Sequence, residues 1–86
     1  MVKEKVVIGG PVGLHARPAA DFVRESERFR SDIRLSKDGM RVNGKSILAI
    51  LTLAAEAGST VLLEASGPDE AQALAVLKKR LEQSET

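Results

Sequence analysis

His15 is the only histidine in the chain and stands in the segment Gly13-Leu14-His15-Ala16-Arg17-Pro18-Ala19-Ala20. Proline is tolerated in the first turn of a helix, where its missing N–H would lack a partner anyway. Pro18 therefore predicts a helix whose N-terminus lies at or just after His15. The first amides of a helix have no internal acceptors and sit at the positive end of its dipole, so that end suits an anion. Arg17 adds a fixed charge with several donors, which matches a phosphoryl group. An imidazole nitrogen is nucleophilic enough to take such a group and labile enough to pass it on. Each residue alone has a plain structural role: a surface histidine, a solvated arginine, a proline marking a turn. The chemistry lies in their combination.

The elements that must position this segment follow from periodicity. Residues 2–8 form a β-branched run with Glu4, Val6 and Ile8 on one face and Lys3, Lys5 and Val7 on the other. Gly9-Gly10-Pro11 ends it, and a loop runs through Val12, Gly13 and Leu14. A helix fits 16–28, with Ala19, Phe22, Val23, Ser26 and Phe29 on one stripe and Arg17, Asp21, Arg24 and Arg28 on another. Ile33 and Leu35 alternate with Arg34 and Ser36 as a second strand. Asp38-Gly39 reads as a two-residue hairpin turn into Met40-Arg41-Val42. After Asn43-Gly44, Ser46 reads as the N-cap of a short helix through Ile47, Leu48, Ile50, Leu51 and Leu53, stopped near Gly58. Residues 60–66 form a fourth strand. Asp69 with Gln72 three residues later predicts a capping box for a last helix that buries Leu74, Leu77 and Leu81; Lys78, Lys79 and Arg80 suit its negative end. The order βαββαβα predicts an α+β open-faced two-layer sandwich, a four-stranded antiparallel sheet with helices on one face.

Size and composition narrow the functions. Eighty-six residues argue for one domain, 1–86, with a thin core and no deep enclosed active site. The absence of cysteine excludes disulfides and thiolate chemistry, and it fits a cytoplasmic location. The run Val6-Val7-Ile8 is too short for a signal core or a membrane span, so no membrane association is expected. Thirteen basic residues face twelve acidic ones, and Phe22 and Phe29 are the only aromatics, so nucleic-acid binding is not expected. A conventional hydrolase would need a second catalytic group beside the single histidine. Asp21, about one and a half helical turns away at 3.6 residues per turn, does not supply it.

The segment 13–20 is similar to the active-centre signature of the HPr phosphocarriers of the bacterial sugar phosphotransferase system. The length, the element order and the segment Asn43-Gly44-Lys45-Ser46-Ile47-Leu48 share the resemblance. It implies a stoichiometric carrier rather than an enzyme, without metal or cofactor. His15 would accept phosphate on Nδ1 from phosphorylated enzyme I, loaded from phosphoenolpyruvate, and pass it to IIA domains of sugar permeases. Arg17 and the amides of Ala16 and Arg17 would hold the phosphoryl group.

Ser46 matches a serine modified by a bifunctional kinase/phosphorylase, which adds a catabolite-control transcription regulator to the implied partners; as a plain N-cap it would be worth about 1 kcal/mol. Ile47, Leu48 and Leu51 resemble the apolar docking patch, with Arg24 and Lys45 on its basic rim. Leu51 could equally pack in the core, whereas adjacent Ile47 and Leu48 cannot both face inward. The chain departs from the family pattern at Glu27, where a basic residue is common, and at Val12, where a small polar residue is; both bear on partner preference. A carrier that meets several partners in turn is expected to be a monomer. The nitrogen-regulatory paralogue and a non-catalytic adaptor are the rival readings.

Overall fold

A computed structural model describes residues 1–10 and 13–83; the sequence readings at Pro11 and Val12 lie outside the described residues. The elements are β1 Val2–Val7, α1 Ala16–Ser26, β2 Asp32–Lys37, β3 Met40–Asn43, α2 Ile47–Leu53, β4 Thr60–Ser66 and α3 Glu70–Glu82. The order is βαββαβα, and the sheet order is β1-β4-β2-β3 with every neighbour antiparallel. Long crossovers through helices place β4 in the interior between β1 and β2, while the hairpin keeps β2 and β3 adjacent. Asp38 and Gly39 both take positive φ, 51° and 83°, which is the two-residue turn that matches strand twist.

Alternation along the strands gives the sheet one apolar face. Val6 and Ile8, Ile33 and Leu35, and Val61, Leu63 and Ala65 are all closed to solvent, while Lys3, Lys5 and Val7 are exposed. The three helices cover that one face and leave the other open. From α1 the core takes Ala19, Phe22, Val23 and Ser26, as the helical stripe predicts, together with Pro18, which periodicity alone treats as a marker. Phe22 is the one aromatic at the centre, and truncating such a side chain to alanine costs about 3–5 kcal/mol.

Three local expectations need correction. Helix α1 ends at Ser26, because Arg28 and Phe29 amides switch to carbonyls three residues back, Glu25 at 3.1 Å and Ser26 at 3.2 Å. Helix α2 ends at Leu53 rather than near Gly58, since Ala54 adopts the left-handed conformation at φ 53° and ψ 47°. The capping box at Asp69 does not form. The Asp69 carboxylate instead accepts from the Arg30 amide at 2.9 Å, the Ser31 amide at 3.0 Å and the Ser31 hydroxyl at 2.6 Å. It clamps the α1–β2 connection to the start of α3, and Glu70 accepts from the Gly67 amide at 3.1 Å. On α3, Ala73, Leu77 and Leu81 are fully buried and Leu74 is half-buried against them.

Candidate functional site

The segment before His15 is fixed from beneath. Gly13 has φ +78°, and a Cβ there would stand 2.6 Å from the Ala57 nitrogen and 2.7 Å from the Ala55 oxygen, so only glycine fits. The Leu14 amide donates to the Ala55 carbonyl at 2.8 Å, and its side chain is buried in the core. The turn after α2 thus supports the loop that leads into α1. Sequence reading misses this support, because the contact joins residues about forty positions apart and only Gly13 marks it.

His15 then stands as the N-cap of α1 in extended backbone, φ −121° and ψ −161°. Its carbonyl accepts the Ala19 amide at 2.8 Å, but its side chain makes no capping bond and is exposed. Of the first-turn residues, Pro18 has no N–H and the Ala19 N–H is used. The Ala16 and Arg17 amides therefore remain, and neither has an acceptor among the described residues. The first turn carries no acid, so the positive helix end is uncompensated. Arg17 is exposed and enters no ion pair among the described residues. The nearest acid of the helix, Asp21, is held by Arg80 at 3.0 Å, and the same guanidinium holds Glu25 at 2.8 Å. The start of α1 thus carries an exposed imidazole, an exposed guanidinium and two amides without acceptors among the described residues, groups of the kind that suit an anion.

Ser46 caps α2 as its position predicts, with its hydroxyl oxygen accepting the Ala49 amide at 3.3 Å. Ile50 and Leu53 turn into the core, while Ile47, Leu48 and Leu51 are 40%, 74% and 37% exposed. All three patch residues thus lie on the outer side, and Leu51 is not a core residue. Helices α1 and α2 pack against each other, and Arg24 is exposed on α1. Lys45 is less free than a rim residue: its ammonium donates to the Phe29 carbonyl at 2.8 Å and ties α2 to the end of α1. Glu27 is exposed at the C-cap of α1, at the opposite end from His15.

Among the described residues no cluster of three or more His, Cys, Asp or Glu side chains is arranged to hold a metal ion. No helix among them is long and apolar enough to cross a membrane.

Comparison with known proteins covers nearly the whole chain. Residues 2–83 match the family described as PTS HPr component phosphorylation site. The HPr-like protein Crh of Bacillus subtilis is 51% identical over 74 residues, 86% of this chain and 87% of Crh. The crystal structure of the phosphocarrier protein HPr from Bacillus anthracis superposes with a TM-score of 0.91 at 42% identity, covering 93% of this chain and 95% of that one. A crystal structure of Bacillus subtilis Crh, described as a swapped-domain dimer, superposes with a TM-score of 0.79 at 45% identity, covering 100% of this chain and 99% of that one.

Proposed function

The chain belongs to the HPr family, and from that premise we propose that it is a stoichiometric phosphoryl carrier whose acceptor is His15. The phosphoryl group comes from enzyme I, itself loaded by phosphoenolpyruvate, and goes on to IIA domains of sugar permeases. The Nδ1 lone pair attacks phosphorus as the bond between phosphorus and the donor group breaks, and the donor group keeps that electron pair. The Nε2 proton stays in place, so neither an external base nor a cofactor takes part. Arg17 and the Ala16 and Arg17 amides hold the phosphoryl oxygens as charge passes between the two proteins. The observation that carries this reading is the His15 side chain, exposed and without a capping bond at a helix start, beside Arg17, which has no partner acid among the described residues.

The reading extends to a single cytoplasmic domain that works as a monomer. Partners dock on Ile47, Leu48 and Leu51 with Arg24 at the rim, an apolar centre of the kind transient interfaces use. Phosphorylation of Ser46 by a kinase/phosphorylase regulates that surface and engages a catabolite-control transcription regulator.

A second reading has a specific observation behind it: the 51% identity to Crh, which another solved structure describes as the catabolite repression HPr. In that reading Ser46 is the main signalling site and phosphoryl transfer through His15 is secondary. Incubation with enzyme I and phosphoenolpyruvate, followed by intact mass, separates the two. The carrier reading expects one acid-labile phosphoryl group per chain and none on His15→Ala. Labelling that survives in His15→Ala refutes the assignment, and an unlabelled wild type leaves the regulatory reading standing.

A further inference from the structure

The turn that supports the His15 loop carries an acid. Besides the Leu14–Ala55 hydrogen bond at 2.8 Å, a Cβ on Gly13 would stand 2.8 Å from the carbonyl carbon of Glu56, so the two backbones are in contact. Two residues of chain, about 7 Å when extended, separate Gly13 from His15. The Glu56 carbonyl is fixed by the Ser59 amide at 3.0 Å and by the Ser59 hydroxyl. Its side chain is exposed and forms no ion pair among the described residues. The other acids near the site are compensated, Asp21 by Arg80 and Glu25 by Arg80 and Arg28. Glu27 lies at the far end of α1, about 16 Å along an eleven-residue helix. Among the described residues, Glu56 is the acid on the turn that supports the His15 loop, and it has no counter-charge there.

We propose that Glu56 sets the phosphoryl-transfer potential of His15. The proposal rests on the carrier reading and adds a tuning residue to it. A bound phosphoryl group carries about two negative charges. A carboxylate on the turn that backs the His15 loop opposes it through solvent without touching the reacting atoms, raising the free energy of the phosphorylated form relative to the free one. The chain is then a readier donor and a less completely filled acceptor. At low salt a separation of about 8 Å would correspond to about a fourfold shift in the equilibrium, and a Debye length of about 3 Å at 1 M salt removes it.

The experiment mixes equal amounts of heavy-nitrogen-labelled wild type and unlabelled Glu56→Gln with catalytic enzyme I and limiting phosphoenolpyruvate. Intact mass reads how the phosphoryl group divides at equilibrium. As one N–P bond breaks on each exchange and another forms, the partition reports the two chains' transfer potentials directly. The expected result is about a fourfold preference for Glu56→Gln at 0.01 M salt, falling to an even split at 1 M. Glu56→Asp, which keeps the charge, should divide nearly evenly with wild type. An even split with Glu56→Gln at low salt overturns the proposal alone, as does a preference that persists at 1 M salt, which would indicate packing. If neither chain is labelled, the carrier reading fails and this proposal fails with it.

Discussion

Helices α1 and α2 start with residues that can each carry a phosphoryl group, yet the two starts are built differently. At α1 the cap residue is His15, whose side chain makes no capping bond, and two first-turn amides have no acceptor among the described residues. At α2 the cap is Ser46, whose hydroxyl already serves the Ala49 amide. The first helix start leaves its donors open, at some expense in local stability, since caps are worth about 1 kcal/mol. The second is closed and stable. A group that must be loaded and unloaded repeatedly belongs at the open start. A modification that changes the surface around it belongs at the closed one, where its charge can be accommodated by the helix dipole.

The largest expected effect strikes the open start. Arg17→Ala should leave the thermal midpoint nearly unchanged, because the residue is exposed and surface substitutions shift stability by no more than about 0.5 kcal/mol. It should slow phosphoryl transfer to and from His15 by roughly tenfold to a hundredfold, the range for losing a hydrogen bond to a charged group. Rapid-quench transfer kinetics with phosphorylated enzyme I check this. Normal rates would show that the free amides suffice without the guanidinium.

At the closed start the two kinds of variant should part. Ser46→Ala loses the cap and about 1 kcal/mol of stability, while its phosphoryl acceptance stays at the wild-type rate. Ser46→Asp can still accept the Ala49 amide and adds a charge that the helix start favours, so its stability holds. That charge borders exposed Ile47 and Leu48, and docking there must then desolvate it. Its binding to enzyme I should weaken by roughly fivefold to tenfold, a loss of about 1–1.4 kcal/mol. Equal affinities for Ser46→Asp and wild type, measured by calorimetry, would reduce Ser46 to a cap.

Much of this contrast is legible in the amino-acid sequence. Pro18 after His15 and Ser46 before an apolar run are local signals, and both helix starts fall where they predict. The strand pattern is clear at Ile33 and Leu35, which alternate with Arg34 and Ser36, and less so where apolar Val7 and Leu62 stand between the buried Val6 and Ile8 and the buried Val61 and Leu63. The missing parts are those decided by distant contacts. Ala54 ends α2 in a left-handed conformation that alanine does not advertise, and Gly58 is the more obvious stop. The support of Gly13 and Leu14 by residues 55–57 joins two turns, and no spacing rule connects them. Asp69 has the right neighbour for a capping box, but its carboxylate finds Ser31 thirty-eight positions away.

That third helix start sharpens the comparison, with the smallest expected effect on phosphoryl transfer. Here the cap side chain serves neither a ligand nor its own helix; it ties one segment of the fold to another. The Ser31 hydroxyl and then the Arg30 amide hold the Asp69 carboxyl below its usual value of 3.8, against an opposing contribution from burial. A depressed folded-state value means that this ionised carboxylate stabilises the fold fully above the ordinary value. The contribution is lost as pH falls through the lower, folded-state value. Asp69→Asn should therefore melt below wild type at neutral pH, and the gap between them should narrow as pH drops from about 4 towards 2. Protonation then removes from wild type the charge that asparagine already lacks. Phosphoryl transfer by Asp69→Asn, measured well below its melting temperature, should match wild type, because the clamp is remote from the His15 side chain. A melting gap independent of pH would show that the Ser31 contact depends on shape rather than charge. Slowed transfer in a folded variant would show that the third start is coupled to the first.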